Sequence, residues 1–105
     1  MIPVMCLVQA GQVSSELEAQ LKDDMTQFTS ESFGSAAEVV WIEVPEKSGF
    51  TAGVPSTSIL VSMQSPKKLE TSERVPLLQK LCDVWLERTG LSINEVVGVI
   101  ADPQA

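Results

Sequence analysis

The chain contains neither histidine nor tyrosine, so any proton chemistry falls to its carboxylates, lysines, thiols or amino terminus. Imidazole acid–base work, Ser/His or Cys/His nucleophile pairs and histidine metal ligation are excluded within one chain. Cys6 and Cys82 stand far apart with no CxxC spacing. They make a poor zinc site and read as reduced, partly buried thiols. The acid pairs Asp23-Asp24 and Glu16/Glu18 are adjacent or two apart on a predicted helix, so their side chains diverge into a solvated face and do not form a dyad. There remains the Met1 amine, whose ordinary pKa is about 7.7 to 8.0. Burial at a subunit boundary would lower it toward a base or a Schiff-base nucleophile. No metal or cofactor is implied.

The elements that must position such groups show themselves by repetition. Glu38-Val39-Val40 returns 57 positions later as Glu95-Val96-Val97, and the same offset carries Ile2 to Ile59, Val4 to Val61, Ser15 to Ser72 and Leu21 to Leu78. This predicts a duplicated strand, helix, strand unit, with halves at about 1–45 and 57–102 of one domain spanning 1–105. Residues 2 to 9 are apolar with little alternation, as in a strand covered on both faces. Ser15 with Glu18 forms a capping box, after which Leu17, Leu21, Met25 and Phe28 share a face on a helix to Ser32 that closes near Gly34. Val39 to Val44 is the second strand, ended by Pro45.

Glu46 to Ser56, with Gly49, Gly53 and Pro55, is predicted as the longest irregular connection, of a kind often found at functional sites or interfaces. Ile59 to Met63 is the third strand. Thr71 or Ser72 caps a second helix that displays Leu77, Leu78, Leu81 and Trp85 and ends at Gly90, with Pro76 in its first turns. Ser92 and Glu95 make a short turn before a fourth strand, Val96 to Ala101, and the tail from Asp102 is long enough for an edge contact.

Two right-handed β-α-β units combine most simply into an α+β fold: one four-stranded sheet with both helices on one face. Val39, Trp41, Val4, Cys6, Leu60 and Val97 then supply more apolar strand surface than two helices can cover. A homo-oligomer that buries the opposite face is therefore expected. At 105 residues and 44 % hydrophobic, the chain suffices for one core. A net charge of −7 disfavours nucleic acid and anionic membrane surfaces as partners. The run Ile2 to Val8 lacks the charge and cleavage pattern of a signal peptide. No stretch approaches the ~20 apolar residues of a membrane span, so the cytosol is the expected compartment.

Several stretches resemble the tautomerase superfamily, in particular the macrophage migration inhibitory factor group. Val39 through Glu46 is similar to the second strand of 4-oxalocrotonate tautomerases and of the inhibitory factor. Ser62-Met63-Gln64-Ser65-Pro66-Lys67-Lys68-Leu69 resembles the third strand and exit loop of the latter. Leu81-Cys82, Leu86-Glu87-Arg88, Leu91-Ser92 and Val96 match its second helix and the following turn, and Phe50 and Gly53 sit where the family has an aromatic and glycines near the pocket. The resemblance implies a homotrimer with pockets at subunit boundaries, a small carbonyl-type ligand, and an N-terminal proline amine that shuttles a proton between a carbon acid and its enol.

This sequence departs from that pattern where the chemistry lies. Counted from Gly11, Ile2 takes the proline's place; counted from Gly34, Pro3 does. Aminopeptidases remove methionine only before small residues, so Met1 is expected to remain, and Pro3 is held in an amide in either register. The inhibitory factor's pocket lysine falls on Gly34, its tyrosine on Val97 and its asparagine on Val99. The substrate-gripping arginines of 4-oxalocrotonate tautomerases fall on Gln12 and Glu38. Ser65 keeps its place at the pocket rim, but Pro66 follows it with no N–H to offer, and Lys68 falls on a lysine of the inhibitory factor. The resemblance therefore implies a trimeric binding or assembly scaffold without the proline reaction. An isomerase using the Met1 amine is the alternative, and an unrelated monomeric ferredoxin-like module is a third reading.

Overall fold

Period-two burial runs through the strands and gives the sheet two unlike faces. In β1 (Ile2–Gln9) Ile2, Val4, Cys6 and Val8 are buried, while Pro3, Met5 and Leu7 point the other way. β2 (Ala37–Val44) lies parallel to β1, with Ile2 opposite Ala37 and Gln9 opposite Val44. On the other side of β1, β5 (Ile59–Gln64) runs antiparallel and is followed by β6 (Val96–Ala101), parallel to it, in the order β2-β1-β5-β6. α1 (Ser15–Phe33) and α2 (Thr71–Thr89) pack on one face. Leu21, Met25 and Phe28 of α1 join Leu81 and Trp85 of α2 and the inward strand residues in a single core. This is the expected α+β arrangement. The computed structural model describes the chain except residues 46–48, 52–53, 57, 93–94 and 104–105, and at 49–51 and 54–56 it describes the backbone alone.

Each β-α-β unit opens with the same bond: Ile2 N–H donates to Ala36 O at 2.9 Å, and Ile59 N–H to Glu95 O at 2.7 Å. The single gapless offset does not survive beyond the first strands, however. Ala37 is answered by Val96 in register, so the two Glu-Val-Val triplets are displaced by two residues. That shift keeps each residue on its own face, which is why the motif looked aligned. Likewise Leu81, fully buried, and not the half-buried Leu78, occupies the core as Leu21 does.

α1 begins at Ser15 as expected, but both capping residues lie one or two positions earlier than the sequence suggested. Ser14, with extended dihedrals of φ −71° and ψ 162°, accepts the Leu17 N–H at 3.1 Å, whereas Ser15 is already helical and cannot serve as the cap. The Glu18 carboxylate pairs with Lys22 at 2.8 Å instead. Glu70, not Thr71 or Ser72, precedes α2, and its N–H donates to Glu73 Oε1 at 3.4 Å. Gly34 and Gly90 close the helices at φ 72° and 70°, each N–H returning to the carbonyl four residues back. The connection predicted to be irregular contains β3 (Gly49–Thr51) and β4 (Val54–Ser56), an antiparallel pair.

The expected surplus of apolar strand surface exists, carried by two of the six residues expected to supply it, Leu60 and Val97, and by others not named for it. Val4, Cys6, Val39 and Trp41 face the helices, with Trp41 stacked on Trp85 at 6.0 Å between ring centroids. Leu60 and Val97 lie on the open face, where the register lines up Ile42, Leu7, Leu60 and Val97 in one row and Val40, Met5, Ser62 and Val99 in the next. The row beyond holds Glu38, Pro3, Gln64 and Ala101. The open face therefore grades from apolar at one end to polar at the other.

Candidate functional site

A hollow of about 460 Å³ lies at the polar end of the open face, lined by Pro3, Met5, Val40, Ser62, Gln64, Ala101 and Asp102, with the strand positions of Val4 and Met63 beneath. Strand alternation puts these groups there. Ser62 and Gln64 flank the inward-facing Met63 on β5, and the Val4–Met63 pairing brings Pro3 alongside Gln64. Asp102 comes from the tail after β6. Its Oδ1 accepts the Leu69 N–H at 3.0 Å and a bond from Arg74 Nη2, which also donates to Leu69 O at 3.2 Å. The Leu69 N–H first, then Arg74, holds this carboxyl below the usual aspartate range. Arg74 Nε is buried and has no partner among the described residues.

Among the described residues, Pro3 is the one sequence-predicted site residue that lines the hollow. Its nitrogen belongs to the Ile2–Pro3 amide, and Ile2 is part of β1, 3 % exposed, with its own N–H on Ala36 O. An amide nitrogen has no basic lone pair, so in this strand Pro3 offers a ring face and no proton acceptor. Met1 is 74 % exposed beside it.

No protein-family model and no curated protein matches the sequence. Solved structures match over nearly the whole chain. Native Ps01740 is 24 % identical with a TM-score of 0.87, covering 98 % of this chain and 95 % of that one. Pt0534 inactivated by 2-oxo-3-pentynoate is 22 % identical with a TM-score of 0.82, covering 96 % and 85 %. A symmetric trimer of fused wild-type 4-OT is 15 % identical with a TM-score of 0.82, again covering 96 % and 85 %. The fold is that of the tautomerase superfamily.

Within this tautomerase fold the other candidate residues are scattered in a single chain. Gly34 caps α1, and a side chain added there would meet nothing within 4 Å. Ser65 is 1 % exposed and lies on the helix side of β5. Its hydroxyl donates to Lys67 O at 2.5 Å and accepts the Lys67 N–H at 3.2 Å, closing a turn around Pro66. Pro66 and Lys68 are exposed on that turn. Val97 sits four residues along β6 from Ala101, about 13 Å from the hollow's end of the sheet. One site could combine it with Pro3 only across two chains. The side chain of Phe50, and Gly53, lie outside the described residues.

Nothing in the sequence marks Met5, Val40, Ala101 and Asp102 as site residues, and Ser62 and Gln64 stand out there only as part of the family resemblance. The alternation of Ser62 and Gln64 with Val61 and Met63 was the available signal, since period two places them opposite the core. The thiols take no part: burial pushes Cys6 up to about 12, and burial raises Cys82 too. Among the described residues no group of His, Cys, Asp and Glu side chains could hold a metal ion.

Proposed function

We propose that the chain is a tautomerase-fold protein of the macrophage migration inhibitory factor-like group that serves as a homotrimeric binding or assembly scaffold without proline-based keto–enol exchange. The observation that carries this reading is the Ile2–Pro3 amide. Ile2 is buried and hydrogen-bonded at the start of β1, so exposing a proline amine there would remove a core side chain and a strand bond. A trimer is supported by the apolar open face, on which Val40, Val97 and Val99 are 53 %, 48 % and 41 % exposed. The fused 4-OT neighbour is itself a trimer. A small carbonyl-type ligand is supported by the inactivation of Pt0534 by 2-oxo-3-pentynoate. The same reading takes 1–105 as a single domain and the cytosol as its compartment.

Phenylpyruvate enolisation, followed by absorbance on protein of verified intact mass and N-terminal sequence, is expected to stay at the buffer rate. A rate above background that tracks a proline N-terminus overturns the proposal. The Met1 amine would need a neighbouring chain to desolvate it. Borohydride trapping with a carbonyl substrate is expected to leave Met1 unmodified.

A further inference from the structure

The hollow beside Pro3 has an electrostatic character of its own. Among the described residues no lysine or arginine lines it. The nearest guanidinium, Arg74, is directed at Asp102 Oδ1 and Leu69 O, and Lys68 is exposed on the turn outside. What the hollow presents is one carboxylate and two neutral groups, Ser62 and Gln64, that can each accept as well as donate. Both bonds to Asp102 fall on Oδ1, which leaves Oδ2 without a partner among the described residues. The Ser62 hydroxyl and the Gln64 amide, on the same face, are likewise unpaired there. A carboxylate ligand would meet the Asp102 carboxylate, whose cations Arg74 and Lys68 stand outside the lining, and no cation among the described lining residues. A protonated amine would meet three oxygen acceptors, one of them ionised, and charge-assisted bonds of that kind are the strong ones.

We propose that this hollow binds a small molecule through an ammonium group held by Asp102, Ser62 and Gln64, with the molecule's apolar body against Pro3, Met5 and Val40. The inference deepens the scaffold reading by naming the ligand class, and it rests on that reading's claim that Pro3 is a wall and not a base. It narrows the expected carbonyl-type ligand to one that carries an amine and no free carboxylate. Arg74 acts as a positioning residue, since its bond to Oδ1 fixes the carboxylate while leaving Oδ2 free.

The test uses three probes of like shape, benzylamine, benzyl alcohol and benzoate, titrated into the full-length protein near pH 7 and followed by amide proton–nitrogen NMR. Benzylamine is expected to shift the Ser62, Gln64 and Asp102 signals saturably and to bind at least about tenfold more tightly than benzoate, with benzyl alcohol between them. Asp102→Asn should weaken benzylamine about tenfold. Because that change also disturbs Arg74, Gln64→Lys gives a second reading: it adds a cation on an open strand face and should reverse the order of benzylamine and benzoate.

Equal or tighter binding of benzoate to the natural sequence overturns the proposal. So does a benzylamine response spread equally over the acidic helix positions, since attraction to the overall charge alone would produce it. Assembly and enolisation are measured separately on the same preparation. Failure of amine binding therefore leaves the scaffold reading standing, and turnover of phenylpyruvate would sink the scaffold reading without bearing on the acceptor set.

Discussion

Asp102 joins three parts of the chain that sequence order keeps apart: the tail after β6, the Leu69 N–H before α2 and Arg74 within it. Its carboxyl is held below the ordinary 3.8, and a depressed folded-state pKa fixes the sign of the pH effect. The stabilisation is fully present above the unfolded value near 3.9 and is lost as pH falls through the lower folded value. Asp102→Asn should therefore lower stability at neutral pH and flatten its decline below about pH 4. Urea unfolding at pH 7 and at pH 3 checks this, with the two proteins converging at the acid end. Asp102 could not have been picked from the sequence, because nothing in Ala101-Asp102-Pro103 marks the distant Leu69 N–H as its partner. Pro3 could be picked, since its position against Ile2 already settles the state of its nitrogen.

At the scale of elements, the strands and helices were legible because their apolar periods are clean. β6 matched residue for residue, and the stripe of Leu21, Met25 and Phe28 faces the core as its spacing requires. Capping was not legible, because Ser14-Ser15 and Glu70-Thr71-Ser72 offer adjacent residues of equal chemistry and only backbone dihedrals choose between them. Which side of each strand meets the helices was also hidden. Alternation separates two sets of residues without saying which set has helices above it, and Val39 and Trp41 fell on the covered side. The close seating of α2 on β6 gives a sharp test. A methyl group at Gly98 would lie 3.0 Å from Cys82 Sγ and 3.4 Å from Leu81 Cδ2. Gly98→Ala is expected to cost about 1 to 3 kcal/mol by overpacking. In a Cys82→Ala background the added cost should shrink, as a double-mutant cycle in urea would show.

For the whole molecule, the open face grades from Val97 and Leu60 to Gln64 and Asp102, which keeps apart the two roles proposed for it, burial against another chain and contact with a ligand. A Val99→Glu change, in the apolar part, should leave the isolated fold nearly intact because Val99 is 41 % exposed. If the proposed trimer forms through this face, the change should shift light-scattering mass from trimer to monomer, since a desolvated carboxylate without a partner costs several kcal/mol per site. A trimer that persists in that variant would place the interface elsewhere. The two tryptophans supply a built-in optical gauge. Trp41 belongs to the first β-α-β unit and Trp85 to the second; their rings stack at 6.0 Å, and the Trp85 indole N–H lies 3.5 Å from Met25 Sδ. Every photon the protein emits under indole excitation thus originates at the seam between its two duplicated units.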